Sequence, residues 1–187
     1  MLKIVGIVCL ILVVTHPAMS DNTPPKGVAA MTITKNKQTY DVIPFSRLFF
    51  KYQPPMDIEH ADGTITKKSD KPMEMPADIR AFHGKQVAIK GFIMPLDSDG
   101  ERVKSFLLVD QLVTCLFCQG LGMDQWVMVN VNNPKGVKIK DEDYESPITV
   151  YGTIDIGEKQ EDGLVVSIYR MTADGVEIPH KGLFNVL

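Results

Sequence analysis

Cys115 and Cys118 are the side chains of this chain with the most chemistry to offer, spaced Cys-x-x-Cys and followed by Gly120 and Gly122. At that spacing two sulfurs can close a disulfide, hold one cation as thiolates, or cycle between thiol and disulfide. Zn²⁺ and Cu⁺ are the cations that suit them, and two sulfurs make only half of a tetrahedral zinc site. A further ligand must come from elsewhere, and beyond residue 20 the histidines are His60, His83 and His180. His83 is the candidate. It stands just before a strand that begins near Lys85, and consecutive antiparallel strands set the start of the first beside the end of the second.

The competing readings of the pair differ in what surrounds it. A structural disulfide needs only an oxidising compartment, although a loop this short gains little stability from a cross-link. A thiol-disulfide oxidoreductase needs a helix N-terminus behind the first thiol, and Gly120 and Gly122 would break such a helix. Met56, Met73 and Met75 add thioethers in a polar stretch, where methionine also serves as a filler of irregular gaps. Asp97-Ser98-Asp99-Gly100 reads as a turn and Asp141-Glu142-Asp143 as a solvated charge run; neither has calcium-loop spacing. Trp126 and Tyr151 are core or rim aromatics that would line a groove if they reach an opening. No nucleophile elbow or zinc-protease motif is present, so binding is favoured over catalysis and no catalytic residue is assigned.

The elements that must position these groups read as strands. Phe106–Val109 and Trp126–Val129 are short apolar runs bracketing the cysteine loop. Gln86–Met94 alternates, with Gly91 inside it, and Ile148–Ile156 repeats the pattern with Gly152; a glycine there permits a bend. Asp97–Glu101 reads as a turn, and Asp162-Gly163 turns the chain into Leu164–Met171. Five strands, two kinked by glycine, are best accommodated in a small barrel of the oligonucleotide/oligosaccharide-binding (OB) type, because closure removes exposed edges. Phe106, Leu108, Val127, Val129, Val87, Ile89, Val150 and Ile168 fall on its inward face. One or two short helices are expected, after Pro44 and over Pro76–Phe82.

Residues 1–20 have the order of a secretory signal: Lys3, the apolar run Ile4–Val14, then Ala18-Met19-Ser20 before the cleavage point. The run is shorter than the ~18 residues of a membrane span. Cleavage removes Cys9, leaving Cys115 and Cys118, and removes Lys3, which lowers the formal charge of −3 by one. An acidic chain without basic runs argues against nucleic acid as a partner. Residues 21–38 read as a flexible leader, 39–75 as an irregular extension packed on the barrel, and 76–187 as the barrel domain. Within the extension, Asp62-Gly63 would close a small hairpin between Ile58 and Ile65.

Gly84-Lys85, Gly91-Phe92-Ile93-Met94-Pro95-Leu96, Phe106-Leu107-Leu108-Val109, Cys115 and Trp126 carry a resemblance over Lys85–Trp126. The chain resembles a family of exported bacterial proteins of unknown function, which often carry a Pro-rich run after the cysteine where this chain has Gln119-Gly120-Leu121-Gly122. The resemblance implies an exported barrel and an association with metal handling in the periplasm. The expectation is therefore a periplasmic or secreted protein that binds or delivers zinc or copper through Cys115, Cys118 and His83. Its partner is then a metal ion or an envelope protein, such as a transporter component. The alternative is an envelope interaction module whose Cys115–Cys118 disulfide only stiffens the loop, and the third reading is the oxidoreductase.

Overall fold

The computed structural model describes residues 31–53, 57–59, 61–67, 74–112, 121–179 and 184–186. Residues 1–30, on which the signal and most of the leader are expected, lie outside these with Cys9, as do Met56, His60, Met73, Cys115, Cys118 and His180. The fold is mainly β. In chain order the elements are β1 (Thr32–Lys35), β2 (Gln38–Val42), β3 (Asp57–Glu59), β4 (Ile65–Lys67), α1 (Ala77–Arg80), β5 (Gln86–Asp99) and β6 (Arg102–Val109). After the cysteine loop come β7 (Trp126–Val131), β8 (Val137–Lys138), β9 (Ile148–Glu161), β10 (Leu164–Glu177) and β11 (Phe184–Val186). Single 3-10 turns cover Phe45–Arg47, Met123–Gln125 and Asp141–Asp143.

Nine strands join in one sheet, in the order β1-β2-β5-β9-β10-β7-β6-β8 with β11 on β10, and β5 also pairs with β6. The pairings of β5, β6, β7, β10 and β9 therefore return on themselves. All are antiparallel except β7 with β10, where Met128 stands opposite Arg170 in a parallel ladder. Inside this ring the eight residues assigned to the inward face by alternation are all fully buried. Gly91 and Gly152 occupy inward positions of β5 and β9. A Cβ on Gly91 would sit 2.4 Å from the Val109 carbonyl oxygen, and one on Gly152 would sit 2.1 Å from that of Thr172. The bends read from these glycines are close approaches of backbone to backbone.

Several expectations need correction. The sheet holds more than five strands, because segments read as leader and loop supply short ones. Residues 32–38 are not a leader: β1 and β2 form a hairpin, closed by Asn36 and Lys37 at φ 49 and 67. Thr-Ile-Thr-Lys and Gln-Thr-Tyr-Asp-Val suit such a pairing, and two left-handed residues match the twist of a two-residue hairpin turn. Strand β5 runs on past Met94 to Asp99, since a register shift between Pro95 and Asp97 lets proline sit in the strand without donating. In the acidic run, Asp143 is buried, not solvated; its Oδ2 accepts the Lys140 amide at 2.8 Å. The β3–β4 hairpin forms as read, with Glu59 opposite Ile65, and Thr64 donates from its amide and hydroxyl to Asp62 Oδ1.

Candidate functional site

The cysteine loop is rooted where β6 ends and β7 begins. Val109 and Trp126 are paired, so the two ends of the 110–125 connection lie side by side. Its returning limb is braced from within and from outside. The Gly122 amide donates to Gln125 Oε1 at 2.8 Å, which fixes the 3-10 turn before Trp126. Buried Asp124 reaches across to the segment after Phe49, where its Oδ2 accepts the Phe50 amide at 2.9 Å and the Lys51 amide at 2.7 Å. Those donors fall at a sharp turn, Lys51 standing at φ 57. A carboxylate holding two backbone N–H groups is a charge-assisted brace, and removing one such partner costs about 1–3 kcal/mol in unsatisfied donors.

The outward face beside this root is apolar. Phe92, Val109 and Trp126 form one cross-strand row over β5, β6 and β7, and Met94, Leu107 and Met128 form the next. Leu107, Val109 and Trp126 are buried, and Phe92, Met94, Leu121, Met123 and Met128 pack against them half-buried. The row beyond Leu107 turns polar, with Ser105 opposite Asn130. The signal for this second apolar face lies in the sequence, in the unbroken apolar runs Phe106–Val109 and Trp126–Val129, which have no polar alternation. Met75 belongs elsewhere, packed against the interior cluster.

His83 is not beside the end of β6 but two strands round from β7, for Asp155, which its ring faces, stands opposite Arg170, and Arg170 opposite Met128. Gln86, at the start of β5, pairs with Thr153 of β9, and β6 joins β5 only from Phe92 onward. The handover at Gly91 is what the antiparallel argument missed. The His83 ring is exposed and held against β9, where Nδ1 accepts the Ile156 amide at 3.1 Å and lies 3.2 Å from Asp155 Oδ1. Nδ1 is therefore occupied on β9, between the Ile156 amide and the Asp155 carboxylate. Strand β10 lies between β9 and β7, and on it Arg170 donates to Asp155 Oδ2 from Nε at 2.9 Å and Nη2 at 2.7 Å. Among the described residues, no group of three His, Cys, Asp or Glu side chains could hold a metal ion.

Trp126 and Tyr151 do not meet. Trp126 belongs to the outward face of β5–β7, whereas Tyr151 is 1% exposed and packs with Tyr40 and Ala88 beneath the β1–β2 hairpin. Its ring meets that of Tyr40 edge-on at 5.2 Å, and its hydroxyl donates to Glu177 Oε2 at 2.7 Å. Burial, then the Glu177 hydrogen bond, push the Tyr151 phenol up. The same bond, with Lys35 beside it, holds the Glu177 carboxyl below the ordinary range. A carboxyl lowered on folding adds stability that is present above its unfolded pKa of about 4.3 and is lost as pH falls through the folded value. Tyr151→Phe removes the largest cause, so the Glu177 midpoint followed by carbonyl NMR should rise toward the ordinary value. A midpoint that stays put would show that the hydroxyl does not hold it down.

Among solved structures, the chain is similar to the crystal structure, at 2.45 Å resolution, of a DUF3299 family protein from Pseudomonas aeruginosa PAO1. It is 19% identical, with a TM-score of 0.47, covering 74% of this chain and 95% of that one. No curated protein matches the chain. The resemblance seen over Lys85–Trp126 is the central part of a longer match, for the model of the family described as "Protein of unknown function (DUF3299)" matches residues 31–178. The chain belongs to the DUF3299 family.

Proposed function

We propose that this is an exported, periplasmic protein that binds or delivers zinc or copper through Cys115 and Cys118, carried on an OB-like barrel made of β5, β6, β7, β9 and β10. The barrel reading is supported by the cyclic pairing of those strands with one parallel ladder between the third and the fifth of them. One observation carries the metal reading. The connection holding both cysteines has its ends side by side and its returning limb braced by Asp124, which is how a scaffold holds a short ligand-bearing loop. The described residues that follow the pair, Leu121–Gln125, form no α-helix, which disfavours the oxidoreductase.

Anaerobic calorimetric titration of reduced protein with Zn²⁺ and with Cu⁺ tests the reading. Thiolate ligands must shed protons to bind, so affinity should fall as pH falls. Cys115→Ser and Cys118→Ser should each lower affinity by at least about tenfold, equivalent to about 1.4 kcal/mol. His83→Ala should match wild type, because its ring is engaged on β9. If nothing binds more tightly than ~10 μM, about −7 kcal/mol, the envelope interaction module is the better reading. The apolar outward face around Trp126 favours that alternative.

A further inference from the structure

We propose that Met94, Met123 and Met128 form a thioether site for a soft monovalent cation, Cu⁺, on the outward face of β5–β7. The proposal deepens the metal-binding reading, since it rests on the chain handling metal beside the cysteine loop, and it draws on Met123 of the loop's returning limb but on neither cysteine. Its first support is placement. Met94 and Met128 stand on either side of Leu107 in the same cross-strand row, on the same face. Neighbouring strands lie about 4.8 Å apart, so their backbones are about 10 Å apart, and two unbranched side chains with three rotatable bonds each can lean across that gap. Met123 comes off the 3-10 turn and packs against the same trio of Leu107, Val109 and Trp126 as well as against the interior cluster, so it borders both faces.

The second support is composition. In the interior cluster the only fully packed methionine is Met171, among valines, isoleucines and leucines. On the outward face, three of the five half-buried side chains around the trio are methionines. Against the interior cluster, half-buried positions hold methionine in two of seven cases, Met75 and Met123 itself, and otherwise aromatic or branched residues. A thioether differs from those residues in being a soft, neutral donor that selects Cu⁺ over Zn²⁺. Half-burial leaves the sulfurs within reach of solvent while the trio supplies a dry floor. Arg170, the β10 residue opposite Met128, is paired with Asp155, so its charge is compensated beside the site.

Thioethers do not titrate, which separates this site from one made of thiolates. The test uses the full chain with Cys115→Ser and Cys118→Ser together, under anaerobic conditions, competing for Cu⁺ against a colorimetric Cu⁺ chelator. Ag⁺ serves as the redox-inert stand-in for NMR of protein labelled at the methionine methyls. One equivalent of Ag⁺ should shift the Met94, Met123 and Met128 methyls and no others. Cu⁺ should quench Trp126, the single tryptophan of the chain, with the same affinity from pH 6 to 8. Adding Met94→Leu and Met128→Leu, swaps that conserve volume, should weaken Cu⁺ binding at least tenfold while the metal-free Trp126 emission stays unchanged.

Equal competition by the cysteine-free protein with and without the leucine swaps would overturn the proposal. So would Ag⁺ shifts spread over other methionines. Loss of all Cu⁺ binding on removal of the cysteines would overturn it too, and would leave the thiolate reading standing. Cu⁺ binding that survives that removal, where the cysteine substitutions change neither Zn²⁺ nor Cu⁺ affinity, would sustain the thioether site and sink the thiolate one.

Discussion

Gly152→Ala is expected to destabilise the protein by more than about 3 kcal/mol, beyond the usual range for an overpacked site. The added methyl would lie 2.1 Å from the Thr172 carbonyl oxygen and 2.9 Å from Ala173 Cα, both of them backbone. No side-chain rotation relieves that, so β9 and β10 must separate where Gly152 faces Ala173. Gly163→Ala is the control: its Cβ meets nothing within 4 Å, and only its φ of 80° is penalised. Urea melts of the two variants should therefore differ widely. If the Gly152 variant melts within 1 M of wild type, at an m-value of about 1–3 kcal/mol per M, the close approach is not what that glycine serves.

Leu108→Ala should cost about 2–5 kcal/mol, from lost transfer free energy plus the cavity left behind. Leu108 is fully buried, opposite Ile93 on one side and Val127 on the other, so three strands share the loss. The site collapses poorly because its neighbours are stiff branched residues in ladders. Leu107→Ala, one residue earlier on the outward face, offers a comparison within the same strand. Equality of the Leu108 variant with wild type in denaturant would mean that the inward face of β6 is misassigned.

Much of the interior was legible because a period of two leaves little choice: once Val87 and Ile89 face inward, so must Gly91 and Ile93, and the glycine is where the Val109 backbone comes close. The same period hid the outward face, because a run such as Phe106-Leu107-Leu108-Val109 satisfies the inward rule and conceals that its other face is also apolar. The β1–β2 hairpin was illegible for a chemical reason. Asn36-Lys37 lacks the glycine that announces a two-residue turn, yet asparagine tolerates the left-handed region and Lys37 follows it there. Burial of Asp143 and Asp124 was equally hidden, since a carboxylate that accepts backbone amides looks in the sequence like any surface acid. The strand beside His83 was hidden because β5 changes partner midway: it meets β9, whose Asp155 stands level with Met128 across Arg170, and not the end of β6.

The parallel ladder between β7 and β10 has a consequence for how the chain can be made. Until Leu164–Glu177 has emerged during synthesis, β7 and β9 each lack the neighbour that joins them, so both present a row of unpaired backbone groups. The last long strand is thus the keystone: besides its hairpin with β9 it reaches back to β7, and the Tyr169 hydroxyl bonds the Leu48 carbonyl across 121 positions. Such distant pairings form late and slowly. A chain that stops before residue 164 should therefore not survive as a smaller folded unit: it would hold two sticky edges and no means of covering them, and would pass to aggregates or proteases instead.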